Sequence, residues 1–115
     1  MEESAGSGAT VFERWLAQAR EEGVDDGVLN KRSCSRIAWA IYVEVAGEGA
    51  ERLTGRTRDI SEGGIGLQCR KPLPERTRVR IYRTDTPNPD EYVEGEVVHS
   101  TGTVGGFKIG VRVTP

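Results

Sequence analysis

The spacing of apolar residues changes once along this 115-residue chain, and that change limits its fold more than any other feature. Before residue 23 the spacing is helical: Val11, Phe12, Trp15, Leu16 and Ala19 fall on one face. Thr10-Val11-Phe12-Glu13 has the form of a capping box, and Gly23 stops the element. So short a helix is marginal in water, so its apolar face needs a partner surface. From residue 36 the period is two. Ile37, Trp39, Ile41, Val43 and Val45 alternate with smaller or polar residues, and Gly47-Glu48-Gly49 turns the chain. Further strands are predicted at 51–58, 65–69, 77–82, 91–99 and 106–113, between loops rich in glycine or proline. In the last, Phe107, Ile109, Val111 and Val113 face one way, and Lys108, Gly110 and Arg112 the other. Six short strands with no helix between them predict an all-β fold, an antiparallel barrel or sandwich behind a short N-terminal α-helix. Closure into a barrel removes the exposed edges.

The length fits one domain. Apolar residues at 36% and charged residues at 30% describe a globular, soluble chain. No apolar run approaches the ~20 residues of a membrane span, so no membrane insertion is expected. The acidic start, Met1-Glu2-Glu3-Ser4, precedes no apolar segment and argues against a secretory signal. Cys34 and Cys69 suit a reducing cytosol, which makes a cytoplasmic location the expectation. The net charge of −2 is uneven: residues 1–30 hold seven acids and two bases, residues 31–115 eleven acids and fourteen bases. A mildly basic module behind an acidic leader suits a small anionic ligand. It argues against polymeric nucleic acid, whose usual footprint is strongly basic. An OB-like barrel for single strands is disfavoured further by an aromatic content of 6%. The division expected is a flexible N-terminus, helix and acidic linker over 1–29, then a barrel over 30–115.

Two segments carry recognisable chemistry. Arg32-Ser33-Cys34-Ser35-Arg36 places two arginines four residues apart before the first strand. Asp59-Ile60-Ser61-Glu62-Gly63-Gly64 falls at the loop between the second and third. An arginine fork matches phosphate oxygens and the O6 and N7 acceptors of guanine, and its plane stacks on a purine. A carboxylate accepts only, which suits guanine's N–H donors, and Ser61 donates or accepts. Gly63 and Gly64 permit approaches that a Cβ blocks, and a positive φ at Gly64 would strain any β-branched replacement. Each segment alone reads more simply, the arginines as solvated charges and Asp59 and Ser61 as turn formers. His99, the only histidine, reads as a surface or half-buried structural residue near a strand end. Cys34 reads as an inert small residue, and the arginines at 76, 78 and 80 as a solvated strand face. No nucleophile–base pair or metal-ligand spacing is legible, so no enzyme and no cofactor are expected.

Together, the R-x-x-x-R at 32–36 and the D-x-S-x-x-G at 59–64, one hairpin apart, resemble the paired signature of the PilZ domain. The resemblance continues through Ile65-Gly66-Leu67 and Ile109-Gly110-Val111-Arg112-Val113, and covers about residues 30–115. It implies a PilZ-like split barrel, a six-stranded antiparallel β-barrel acting as a receptor for cyclic di-GMP. It also implies that Arg32 and Arg36 grip guanine and phosphate, that Asp59 and Ser61 contact a guanine, and that Gly64 shapes the loop. Lys31, just before the first arginine, occupies the position that influences ligand stoichiometry in PilZ-like proteins; by itself it is a solvated lysine. The output expected is a changed interaction with an unidentified downstream protein. The alternative is a barrel that has kept the fold as a structural or interaction module without binding nucleotide.

Overall fold

The computed structural model describes residues 8–22, 24–25, 36–49, 52–85 and 91–114. Helix α1 spans Gly8–Glu22. The strands are β1 Val24–Asp25, β2 Ile37–Ala38, β3 Tyr42–Gly47, β4 Arg52–Ile60, β5 Gly64–Cys69, β6 Arg78–Arg83, β7 Val93–Thr103 and β8 Gly106–Val113. β3 to β8 close on themselves in the order β4-β3-β6-β7-β8-β5, with β5 returning to β4, and every pairing is antiparallel. This is the closed six-stranded barrel. β2 pairs with β4 beyond the end of β3, and β1 pairs with β2 outside the barrel.

Alternation decides what lies inside. Val43 and Val45, Ile65 and Leu67, Val79 and Ile81, Val93 and Val97, and Ile109 and Val111 are buried in one cluster. The helix completes it. Val11, Phe12, Trp15, Leu16 and Ala19 are buried as their spacing predicts, against β7 and β2. Burying one large apolar side chain stabilises by ~1.5–3 kcal/mol, and four such residues hold a helix that is marginal alone. Arg83 pins the seam from the barrel side with its side chain only 11% exposed. Its guanidinium lies 6.0 Å from the Trp15 ring centre and 5.5 Å from that of Trp39. It donates to Gln18 Oε1 at 2.7 Å and to both carboxylate oxygens of Asp85, at 2.9 and 2.6 Å. That Asp85 contact raises its pKa, so the charge persists.

Several sequence expectations change in detail. The helix begins at Gly8, so Thr10 lies inside the first turn and is not its cap. The 23–31 segment contributes β1, a strand where a linker was expected. The strand expected from residue 36 to 45 is broken between Ala38 and Tyr42. Thr57, the buried polar residue of the core, knits the break: its hydroxyl donates to the Trp39 carbonyl at 2.5 Å and accepts from the Ile41 N–H at 2.9 Å. Two backbone groups that lose ladder partners are thus satisfied by one side chain. The fourth difference is length: β4 runs on to Ile60 and β7 to Thr103.

Candidate functional site

The D-x-S-x-x-G segment folds as a tight hairpin. Asp59 and Ile60 finish β4, Gly64 starts β5, and only residues 61–63 connect them. Ser61 N–H donates to Gly64 O at 2.9 Å and Gly64 N–H donates back to Ser61 O at 3.4 Å, so Glu62 and Gly63 form the tip. The Val113 N–H donates to Gly63 O at 3.0 Å and ties the tip to β8. Gly64 does not have the positive φ on which the strain argument depended, since the positive-φ glycines among the described residues are Gly49, Gly105 and Gly106. Glycine is required there for another reason. A Cβ at Gly64 would sit 2.5 Å from the Val111 carbonyl oxygen, a backbone atom that cannot step aside. At Gly63 a Cβ would meet nothing within 4 Å.

Beside this hairpin, on the outer face of the barrel, lies a cavity of about 270 Å³. Arg36, Asp59, Ser61 and Gly64 all line it, joined by Arg58, His99, Lys108 and Arg112. Four of the six residues singled out from the sequence therefore meet at one place. Lys31 and Arg32, like Cys34, lie outside the described residues.

The floor of the cavity is set by register. Asp59 on β4 is opposite Gly66 on β5, Gly66 is opposite Gly110 on β8, and Gly110 is opposite His99 on β7. Two side chains thus end a row whose middle carries none. A Cβ at Gly66 would sit 2.6 Å from Asp59 Oδ1, and one at Gly110 would collide with the His99 ring.

Two bulges make this possible. On β4 the pairing slips between Thr57 and Asp59, and on β7 between Val97 and His99. Thr57 and Val97 point inward, and after each slip two successive residues face outward: Arg58 with Asp59, and Val98 with His99. Bulges commonly re-aim side chains beside binding sites in this way.

The electrostatics are lopsided. Arg36, Arg58 and Lys108 form no ion pair among the described residues, while Arg112 donates to Glu96 at 2.9 Å on the rim. Among the described residues, Asp59 is the single carboxylate lining the cavity. Cationic and acceptor groups over a bare backbone floor suit a flat ligand that carries negative charge and N–H donors. Cys69 is not part of this chemistry: it is buried, and burial pushes its thiol up to about 11, so it stays protonated near neutral pH. Of the lining residues, sequence reasoning left Arg58, Lys108 and Arg112 without a binding role and read His99 as structural.

The helix reaches the same hairpin. Arg20 on α1 donates to Glu62 Oε2 at 3.4 Å, which links α1 to the tip that presents Ser61 and Gly64.

The fold is a closed antiparallel barrel with a cation-lined groove on its outer face. The chain belongs to the PilZ domain family, whose family model matches residues 30–115. PilZ domains are cyclic di-GMP-binding receptor modules and not catalytic ones. No curated protein matches the chain. No helix among the described residues is long and apolar enough to cross a membrane.

Proposed function

We propose that the protein is a cyclic di-GMP receptor whose output is a changed interaction with a partner protein. The observation that carries this reading is the single cavity where Arg36 of the first motif meets Asp59, Ser61 and Gly64 of the second. The arginine fork reads the O6 and N7 edge of a guanine or holds a phosphate, and Asp59 accepts from guanine N–H groups on the opposite edge. Arg32 joins Arg36 from the preceding segment, and Lys31 bears on how many ligand molecules bind. Arg58, Lys108 and Arg112 add positive charge along the groove.

Preference for guanine follows from the same contacts. Adenine carries an amino donor where guanine has O6, which leaves an arginine donor unpaired. Each good bidentate pair discriminates by ~1–3 kcal/mol. Competition calorimetry with cyclic di-GMP, cyclic di-AMP and GTP tests the reading, and the guanine dinucleotide is expected to bind at least tenfold more tightly than the other two. Equal affinity for the two cyclic dinucleotides removes the guanine assignment, and no binding at all leaves the fold as an interaction barrel.

Output runs through the hairpin tip. A ligand held by Asp59 and Ser61 fixes the segment that carries Glu62, and Glu62 contacts Arg20 of α1. Ligand then favours one arrangement of the helix over another by its different affinity for the two. Hydrogen exchange over residues 10–22, with and without ligand, checks this step.

A further inference from the structure

We propose that His99 is a further ligand-contacting residue of this groove, donating a hydrogen bond to a phosphodiester oxygen of the bound cyclic dinucleotide. The inference rests on the receptor reading above and deepens it. It starts from where the bulge at Val97/His99 puts the ring. Without that slip, alternation from the buried Val97 would turn residue 99 into the barrel. With it, His99 faces outward opposite Gly110. The Nε2 atom comes nearest to the place a Gly110 Cβ would occupy, with Cδ2 and Cε1 close behind, so the imidazole leans over the glycine floor. The ring makes no hydrogen bond among the described residues.

The polarity of the groove says which part of a ligand lies there. Asp59 holds one end of the row, and a carboxylate repels phosphate while accepting from base N–H groups. His99 holds the other end, three strand spacings away, or about 14 Å. Lys108 and Arg112 flank Gly110 on β8 and share its outward face. A cyclic dinucleotide has two phosphodiester linkages, so with a base at Asp59 one linkage stays near Arg36 and Arg58 and the other reaches the far end of the row, where Lys108 and Arg112 stand. There an imidazole N–H supplies a directional donor, which a flexible ammonium does not. Gly110 is part of the same device, because a side chain on it would push the ring off the floor.

His99 is the only histidine in the chain, so its imidazole gives an unambiguous signal. Titration of cyclic di-GMP into the ¹⁵N-labelled protein is expected to shift its ring resonances in step with saturation. In calorimetry, His99→Ala weakens binding by about threefold to tenfold, as expected for one lost hydrogen bond. His99→Gln, which keeps a donor, stays within about twofold of wild type, and Gly110→Ala behaves like His99→Ala. Unmoved imidazole resonances at saturation, or wild-type affinity in His99→Ala, overturns the inference. If Arg36→Ala still loses affinity in that case, the receptor reading stands without it. No binding by the wild-type protein removes both.

Discussion

The barrel wears two cationic faces, and they are built differently. On the side formed by β3, β6, β7 and the start of β4, Arg52 and Arg80 are already occupied. Arg52 pairs with Glu44 at 3.0 Å and lies over the Tyr82 ring at 4.9 Å. Arg80 pairs with Glu94 at 3.3 Å and lies over Tyr92 at 4.6 Å, and the two tyrosine rings meet at 5.5 Å. On the β4-β5-β8 side Arg36, Arg58 and Lys108 stand without ion pairs among the described residues, around two glycines instead of two tyrosines. Both faces carry basic residues, neutralised on one and left in excess on the other. Exposed pairs and stacked rings satisfy a sheet surface locally and leave nothing for a ligand to complete. Unpaired cations over bare backbone keep their field and their space available.

Substitutions sharpen or break this contrast. The largest effect is expected from one arginine on each face. Arg36→Ala should cost ~1.5–3 kcal/mol of cyclic di-GMP binding, roughly tenfold to a hundredfold, without changing the unfolding midpoint. Arg80→Ala should leave affinity within about twofold, since a paired surface cation has little to contribute to a distant ligand. Similar losses in both variants, measured by calorimetry, would erase the distinction between the faces. Arg36→Lys should rescue poorly because an ammonium lacks the planar fork.

Next comes the hairpin that shapes the groove. Gly64→Ala forces a Cβ against the Val111 carbonyl and should destabilise by ~1–3 kcal/mol, a fall in midpoint of roughly 5–15 °C. Gly63→Ala, one residue away in open space, should leave the midpoint close to wild type in the same thermal scan. Thr57→Val should cost ~1–3 kcal/mol, because the Ile41 N–H and the Trp39 carbonyl lose their shared partner. Thr57→Ser should recover most of that loss in denaturant titrations. The smallest effect on stability is expected at the seam between hairpin and helix. Arg20→Ala removes an exposed pair worth under ~1 kcal/mol, yet should reduce ligand-dependent protection of α1 in hydrogen exchange. Protection that is unchanged in this variant would route the output elsewhere.

The sequence carried the strands because alternation follows directly from burying one face of each. It carried Arg36, Asp59, Ser61 and Gly64 because they lie in two short segments joined by one hairpin. It could not carry the bulges. A strict period of two from Thr57 sends Asp59 inward, and one from Val97 does the same to His99, so each slip hides the residue it exposes. Nor could it reveal that Gly66 and Gly110 lie side by side, since the β5–β8 pairing brings them together from 44 residues apart in the chain. The break at residues 39–41 was equally hidden, because Ile37, Trp39 and Ile41 alternate as if the strand were whole. What interrupts it is a hydroxyl from Thr57, on another strand.

Trp15 and Trp39 are the chain's only tryptophans, and their rings stand 6.4 Å apart with the Arg83 guanidinium between helix and barrel. The protein therefore carries its own optical gauge of one seam and nothing else. Ultraviolet emission excited in the indoles reports how α1 sits on the barrel, while the groove around Asp59 and His99 contributes no indole to the signal. A change in emission colour or quenching on adding a guanine dinucleotide reads out a change at this seam without any label. A titration followed this way measures output, whereas calorimetry on the same sample measures occupancy. The ratio of the two is the efficiency with which the module transmits what it binds.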